Sequence, residues 1–379
     1  MTGEQIYTNA AIIRRDAVVH GTLVVRDGAI AEIAEGRSEK GIDCEGDYLL
    51  PGLIELHTDH LEGHYSPRPG VRWDRTAAIQ AHDAQVAASG ITTVFDCLRL
   101  GSDEEGGFEV GEMRAMADAL KGAQTDGRLR ADHHIHLRCE VSAPDVLDHF
   151  EPFQHEAMVR LASLMDHAPG QRQFQTMEQY ILYYKTKKGM SDDAFDRFVE
   201  KRRHNSATHA DRHRRILAER CAERNITLAS HDDATAEHVA EACDLGTRLA
   251  EFPTSLEAAR SSHETGMSVL MGAPNVVRGK SHSGNIAATD LADAGVLDVL
   301  SSDYVPISLI TAPFVLHDRG MALSDAIALV TATPARAVSL DDRGEMQPGK
   351  RADFIRVRRT GEGDMPLVRS VWRQGARVA

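Results

Sequence analysis

The absences in this chain narrow the field first. Its five cysteines, Cys44, Cys97, Cys139, Cys221 and Cys243, are odd in number, scattered and without a CxxC pair. That excludes a disulfide framework or a zinc ribbon and fits a reducing cytoplasm. No run of eighteen apolar residues occurs, and the opening MTGEQIYTNAAIIRRDAVVHG has no cationic start followed by an apolar stretch, so neither a membrane span nor an export signal is expected. Cationic residues are in deficit: 43 Lys and Arg against 57 Asp and Glu leave a net charge of −14. Nucleic acid and acidic membrane are therefore poor partners, because binding to phosphate backbones needs local positive charge. A small anionic ligand would need a locally cationic pocket, and a homo-oligomer is left open.

The 379 residues suffice for one large domain with a small one attached. Residues 5–48 carry short apolar patches punctuated by Asp27-Gly28 and Glu35-Gly36, and a similar texture returns in GEMQPGKRADFIRVRR and LVRSVWRQGARVA. Neither end has strands enough for its own core, so residues 1–48 and 345–379 are expected to pair as one composite β-sandwich around a central domain over 49–344. Between the ends, β-type runs alternate with helix-period segments, the pattern of parallel strands with crossover helices. Eight runs qualify, at 51–57, 91–96, 133–140, 159–166, 226–231, 247–252, 267–272 and 297–303. Eight units imply a closed (β/α)8 TIM-like barrel. A doubly wound sheet should carry a Gly-rich turn after its first strand, and PGLIELHTDH has none. The interval near 167–225, dense in charge and aromatics, reads as a lid or a long loop over the catalytic face, with a helix expected over 206–223.

The first barrel run ends abruptly in LLPGLIELHTDHLEGH. Strand residues two apart share a face, so His57 and Asp59 should project together into one cavity. A lone HxD is as well explained by a polar turn, but the other runs end alike: Asp96, Glu140, Asp166 and His167, His231, Glu251 and Asp303. Histidines and carboxylates converging on one barrel mouth suit one or two divalent ions, zinc first, with manganese or iron as alternatives. Asp303, which could merely cap a turn before Pro306, is read as a ligand that also serves as general base. Asp96 could orient neighbours, and Glu251 could bond the backbone of the following helix.

A second cluster, MGAPNVVRGKSHSGN, places Asn275, Arg278, Lys280, Ser281 and His282 among three glycines. Glycines let backbone approach phosphate oxygens, and cations and hydroxyls bind them, so the segment reads as an anion cradle. Arg68, between two prolines in SPRPG, could aim another guanidinium there, and His64 is a further substrate-binding candidate. Arg172 is equally plausible as a surface charge.

The segments LLPGLIELHTDHLEGHYSPRPGVRW, HLRCE, LASLMDHAPGQRQF, EFPTSLEAA and LSSDYVP, with ATPARAVSLDDRGEMQPGKRADF, resemble the amidohydrolase superfamily of metal-dependent barrels. The resemblance implies a metal set drawn from His57, Asp59, Glu140, His167, His231 and Asp303, with Glu140 bridging. Asp59 stands where the superfamily has a second His, and Glu251 where it has a His on strand six. Within that superfamily the likeness is to phosphonate metabolism, which implies hydrolysis by metal-activated water with pyrophosphate leaving a sugar triphosphate. The rivals are C–N hydrolysis of a cyclic amide or amine, and a barrel that only binds.

Overall fold

The computed structural model describes residues 3–102, 110–172, 181, 191–281 and 284–379. The amino-terminal strands are β1 (Gln5–Ile13), β2 (Val18–Arg26), β3 (Ala29–Glu35), β4 (Ile42–Asp43) and β5 (Tyr48–Pro51). Eight further strands follow: β6 (Leu53–Thr58), β7 (Ile91–Leu100), β8 (Asp132–Glu140), β9 (Val159–Met165), β10 (Thr227–His231), β11 (Leu249–Glu251), β12 (Ser268–Gly272) and β13 (Val299–Ser301). The carboxyl end adds β14 (Phe354–Arg358), β15 (Leu367–Arg373) and β16 (Ala376–Arg377).

β6 to β13 pair in chain order, every neighbour parallel, with helices between most of them. A parallel bridge between Thr58 and Asp303 joins the last strand's exit to the first strand's end and closes the ring. The closure is made by hydrogen bonds: Asp303 N–H donates to His57 O at 3.2 Å, Asp59 N–H to Asp303 O at 3.1 Å, and Thr58 Oγ1 to Asp303 O at 2.9 Å. The bonds that shut the barrel therefore also fix His57, Asp59 and Asp303 side by side. All eight strands of this (β/α)8 barrel lie where the apolar runs predict them.

The chain ends meet in one sheet of order β16-β15-β14-β5-β1-β2-β3, with β4 on β1. β14 from the carboxyl end lies antiparallel to β5, and β5 parallel to β1, so neither end is complete alone. The core of this sheet stacks Phe354 on Trp372 at 4.5 Å, with Tyr7 edge-on to both. Gly52 lets the chain leave this sheet for the barrel, since a Cβ there would lie 2.2 Å from Thr92 Oγ1.

Several helices begin where a side chain satisfies an early amide. Asp74 Oδ1 accepts from Ala77 N–H and opens Arg75–Ala88, and Ser255 accepts from Ala258 N–H to open Leu256–Glu264. In the 167–225 interval, residues 173–180 and 182–190 lie outside the described residues. The remainder differs from the expected helix over 206–223: one helix runs from Asp192 to Glu223. It packs on the barrel rim, where Ser206 Oγ donates to Asp166 Oδ2 at 2.8 Å and His213 Nδ1 lies 3.0 Å from Val141 O.

Candidate active site

Asp96 lies within β7 and faces outward to His82 and His133, but the other residues singled out at the strand ends share one rim, because all eight parallel strands bring their carboxyl ends to the same side. A cavity of about 280 Å³ opens there, lined by His57, Asp59, Arg138, His231, Asp232, Phe252, Asn275, Arg278, Ser281 and Asp303 among others. Three non-glycine residues just past the strands adopt left-handed backbone: Asp232 with φ 57°, Phe252 with φ 53° and Asp303 with φ 53°. Such a conformation costs ~1–2 kcal/mol per residue. On the rim it fixes three residues that line the cavity.

Two buried carboxylates stand behind the imidazoles. Glu251, from β11, faces His57 Nδ1 and His231 Nδ1, each at 3.2 Å. Glu140, from β8, sits 2.6 Å from His167 Nδ1 and also accepts from His167 N–H and Ser142 Oγ. Burial alone would raise both carboxyls. Facing His136 and His57 hold Glu251 well below the usual carboxylate range, and His167 does the same for Glu140.

With their Nδ1 atoms so anchored, His231 and His167 present Nε2 to the carboxylate of Asp232, at 3.4 and 3.9 Å from its Oδ2. That oxygen is buried and has no hydrogen-bond partner among the described residues. Two imidazoles oriented by carboxylates and converging on an unsatisfied carboxylate oxygen fit a divalent cation, the arrangement in which outer acids fix the tautomer of metal-binding histidines. His57, His231 and Glu251 form a second group with ligand atoms within 4.8 Å of one another.

The other expected site residues divide. Asp59 lines the cavity, but both its oxygens lie 2.6–2.7 Å from Arg138 Nη1, which outweighs burial and holds the carboxyl far below its ordinary range. Asn275, Arg278 and Ser281 line the same cavity. Lys280 and Arg68 are exposed and absent from its lining, and His64 turns instead towards His60 and His82. His282 lies outside the described residues. Arg172 is no surface charge: it is buried, ion-paired with Asp233 and Glu241.

Asp232, Arg138 and His136 are residues of the site that inspection of strand ends passed over. A signal for two of them exists, since His134, His136, Arg138 and Glu140 alternate along β8 and so share the inward face. Only the last of the four had been weighed. Asp232 is adjacent to His231 in ASHDD, and its left-handed φ turns it to the rim in a way no pattern announces.

The chain matches the amidohydrolase family model over residues 48–376 and belongs to that family. It is 45% identical over 378 residues to the alpha-D-ribose 1-methylphosphonate 5-triphosphate diphosphatase of Escherichia coli, covering 98% of this chain and 100% of that one. An imidazolonepropionase of Streptomyces coelicolor is 26% identical, with 100% of each chain covered. Among solved structures, an enamidase of the amidohydrolase superfamily superposes with TM-score 0.64 at 16% identity, covering 100% of this chain and 96% of that one. An N-acetyl-D-glucosamine-6-phosphate deacetylase from Mycobacterium smegmatis also gives TM-score 0.64, at 13% identity with 100% of each covered. Among the described residues no helix is long and apolar enough to cross a membrane.

Proposed function

We propose that this chain is a cytoplasmic metal-dependent hydrolase that releases pyrophosphate from α-D-ribose 1-methylphosphonate 5-triphosphate. The observation that carries the reading is one cavity lined both by His57, His231, Asp232 and Asp303 and by Asn275, Arg278 and Ser281. A neutral cyclic amide has no use for the second set. A triphosphate needs it, and the full-length likeness to the Escherichia coli diphosphatase points to the same substrate.

His167, His231 and Asp232 would hold a divalent cation, zinc in the first instance, with His57, Asp59 and Asp303 at the same mouth and Glu140 and Glu251 behind the imidazoles. When bound, the cation lowers the pKa of water and neutralises phosphoryl charge. Asp303, fixed by the barrel-closing hydrogen bonds, takes the proton of the water that attacks the α-phosphorus. Arg278 and Ser281 bind the oxygens of the departing pyrophosphate, and Asn275 keeps its wall in place through Oδ1, which accepts from Ala288 N–H at 3.1 Å. The Arg138 guanidinium holds Asp59 ionised and adds positive charge to a chain that is acidic overall.

Phosphorus NMR of metal-loaded protein with this triphosphate tests the reading. Pyrophosphate and the 5-phosphate product should appear together. An inert triphosphate, alongside rapid cleavage of a cyclic amide, would transfer the assignment to C–N hydrolysis.

A further inference from the structure

Six imidazoles and carboxylates outside the cavity form a cluster that the proposed hydrolysis does not use. His82, on the Arg75–Ala88 helix, has Nε2 2.7 Å from Asp96 Oδ1, and Asp96 Oδ2 lies 2.6 Å from His133 Nδ1. His133 Nε2 in turn faces Asp83 at 3.3 Å. Asp96 thus fixes the proton of His82 on Nε2 and leaves Nδ1 as a lone pair. That lone pair points at His60 Nδ1, 3.1 Å away. His64, one turn beyond His60 on the His60–Tyr65 helix, stacks edge-on to His60 at 4.7 Å between centroids. One ring nitrogen from each of the three lies within 4.8 Å of the others.

A hydrogen bond between His60 and His82 accounts for one pair of these nitrogens. It leaves His64 Nε2 buried with no hydrogen-bond partner among the described residues. Two imidazole nitrogens on a tetrahedral zinc ion stand about 3.3 Å apart, from Zn–N distances of 2.0–2.1 Å, close to the 3.1 Å found. His60 and His64 are only partly buried, so their rings can turn to close the longer gaps. The carboxylate behind His82 is the outer partner that metal-bound histidines have.

We propose that His60, His64 and His82 form a second metal site, for Zn²⁺ or another imidazole-preferring transition ion, separate from the barrel mouth. Alternation along β7 separates the two: Cys97 falls inward with His57 and His136, and Asp96 outward with His82 and His133. None of the three histidines lines the catalytic cavity. The ion would pin the His60–Tyr65 helix, which starts directly after Asp59, to the Arg75–Ala88 helix. It would thereby hold the exit of the first barrel strand.

Crystals grown from wild-type protein with about three equivalents of Zn²⁺, measured at the zinc absorption edge, test this. An anomalous peak about 2 Å from ring nitrogens of His60, His64 and His82 is the expected result. Peaks confined to the barrel mouth would overturn it, and would leave the hydrolase reading untouched. In solution, His64→Gln should carry one equivalent of zinc less than wild type after gel filtration, by mass spectrometry of the metal. Unchanged stoichiometry in a folded variant counts against the site, and if the variant does not fold the wild-type map decides.

Discussion

At the scale of single residues, function here depends on which atom of each side chain is already engaged. Glu251 illustrates this: as a letter at the end of strand six it looks like a lost histidine ligand, and in the fold it orients His57 and His231. Asp303 was legible because it follows the last barrel run. Its place beside His57, across the seam, is set by the backbone bond between them. Asp303→Asn should lower turnover by ~10²–10⁴, the usual worth of a positioned base, while metal content measured by mass spectrometry stays near that of wild type. Near-normal rates would remove Asp303 from proton transfer. Arg138→Gln should raise KM and weaken activity together, since the Asp59 carboxylate loses its clamp, and steady-state kinetics read both.

At the scale of elements, the eight strands were legible because buried parallel strands are short, continuous apolar runs. The Asp192–Glu223 helix was half missed for the opposite reason. Its buried stripe includes Arg202, Asn205, Ser206, His213 and Arg214, so the face it packs inward does not read as apolar. Another polar contact ties the Arg75–Ala88 helix to the barrel, through His133 between Asp96 and Asp83. Burial disfavours a charged His133, yet the two carboxylates outweigh it and push its pKa up to about 9. With the folded value above the ordinary 6.5 of an imidazole, the stabilisation is complete below about 6.5 and lost as pH rises through about 9. Unfolding free energy from urea titrations should therefore fall by on the order of 3 kcal/mol across that window. His133→Asn should flatten the fall; an unchanged slope would assign it to other groups.

At the scale of the whole molecule, the carboxyl end of the chain and the barrel are tied at Asp132, the first residue of β8. Arg343 and Arg351 reach it at 2.8 Å and Arg373 at 2.9 Å. Burial opposes its ionisation, and the three guanidiniums prevail and lower its pKa. Because a lowered carboxyl stabilises above its unfolded value and loses that contribution as pH falls through the folded one, the tie should fail only in acid. Asp132→Asn should cost on the order of 2–4 kcal/mol at neutral pH, read by thermal or urea unfolding, and should make the acid limb shallower. An equal acid limb in both proteins would place the acid sensitivity elsewhere. What the sequence determined by itself was the barrel, the pairing of the chain ends and the ring of histidines and carboxylates at the strand ends, because apolar periodicity and strand-end chemistry are local. Only the tertiary structure decided which carboxylates open onto the cavity and which stand behind an imidazole. It also showed Asp59 bound to Arg138, and His64 beside His60 and His82 rather than at the cavity. Those outcomes depend on angles and separations between segments that are far apart in the chain.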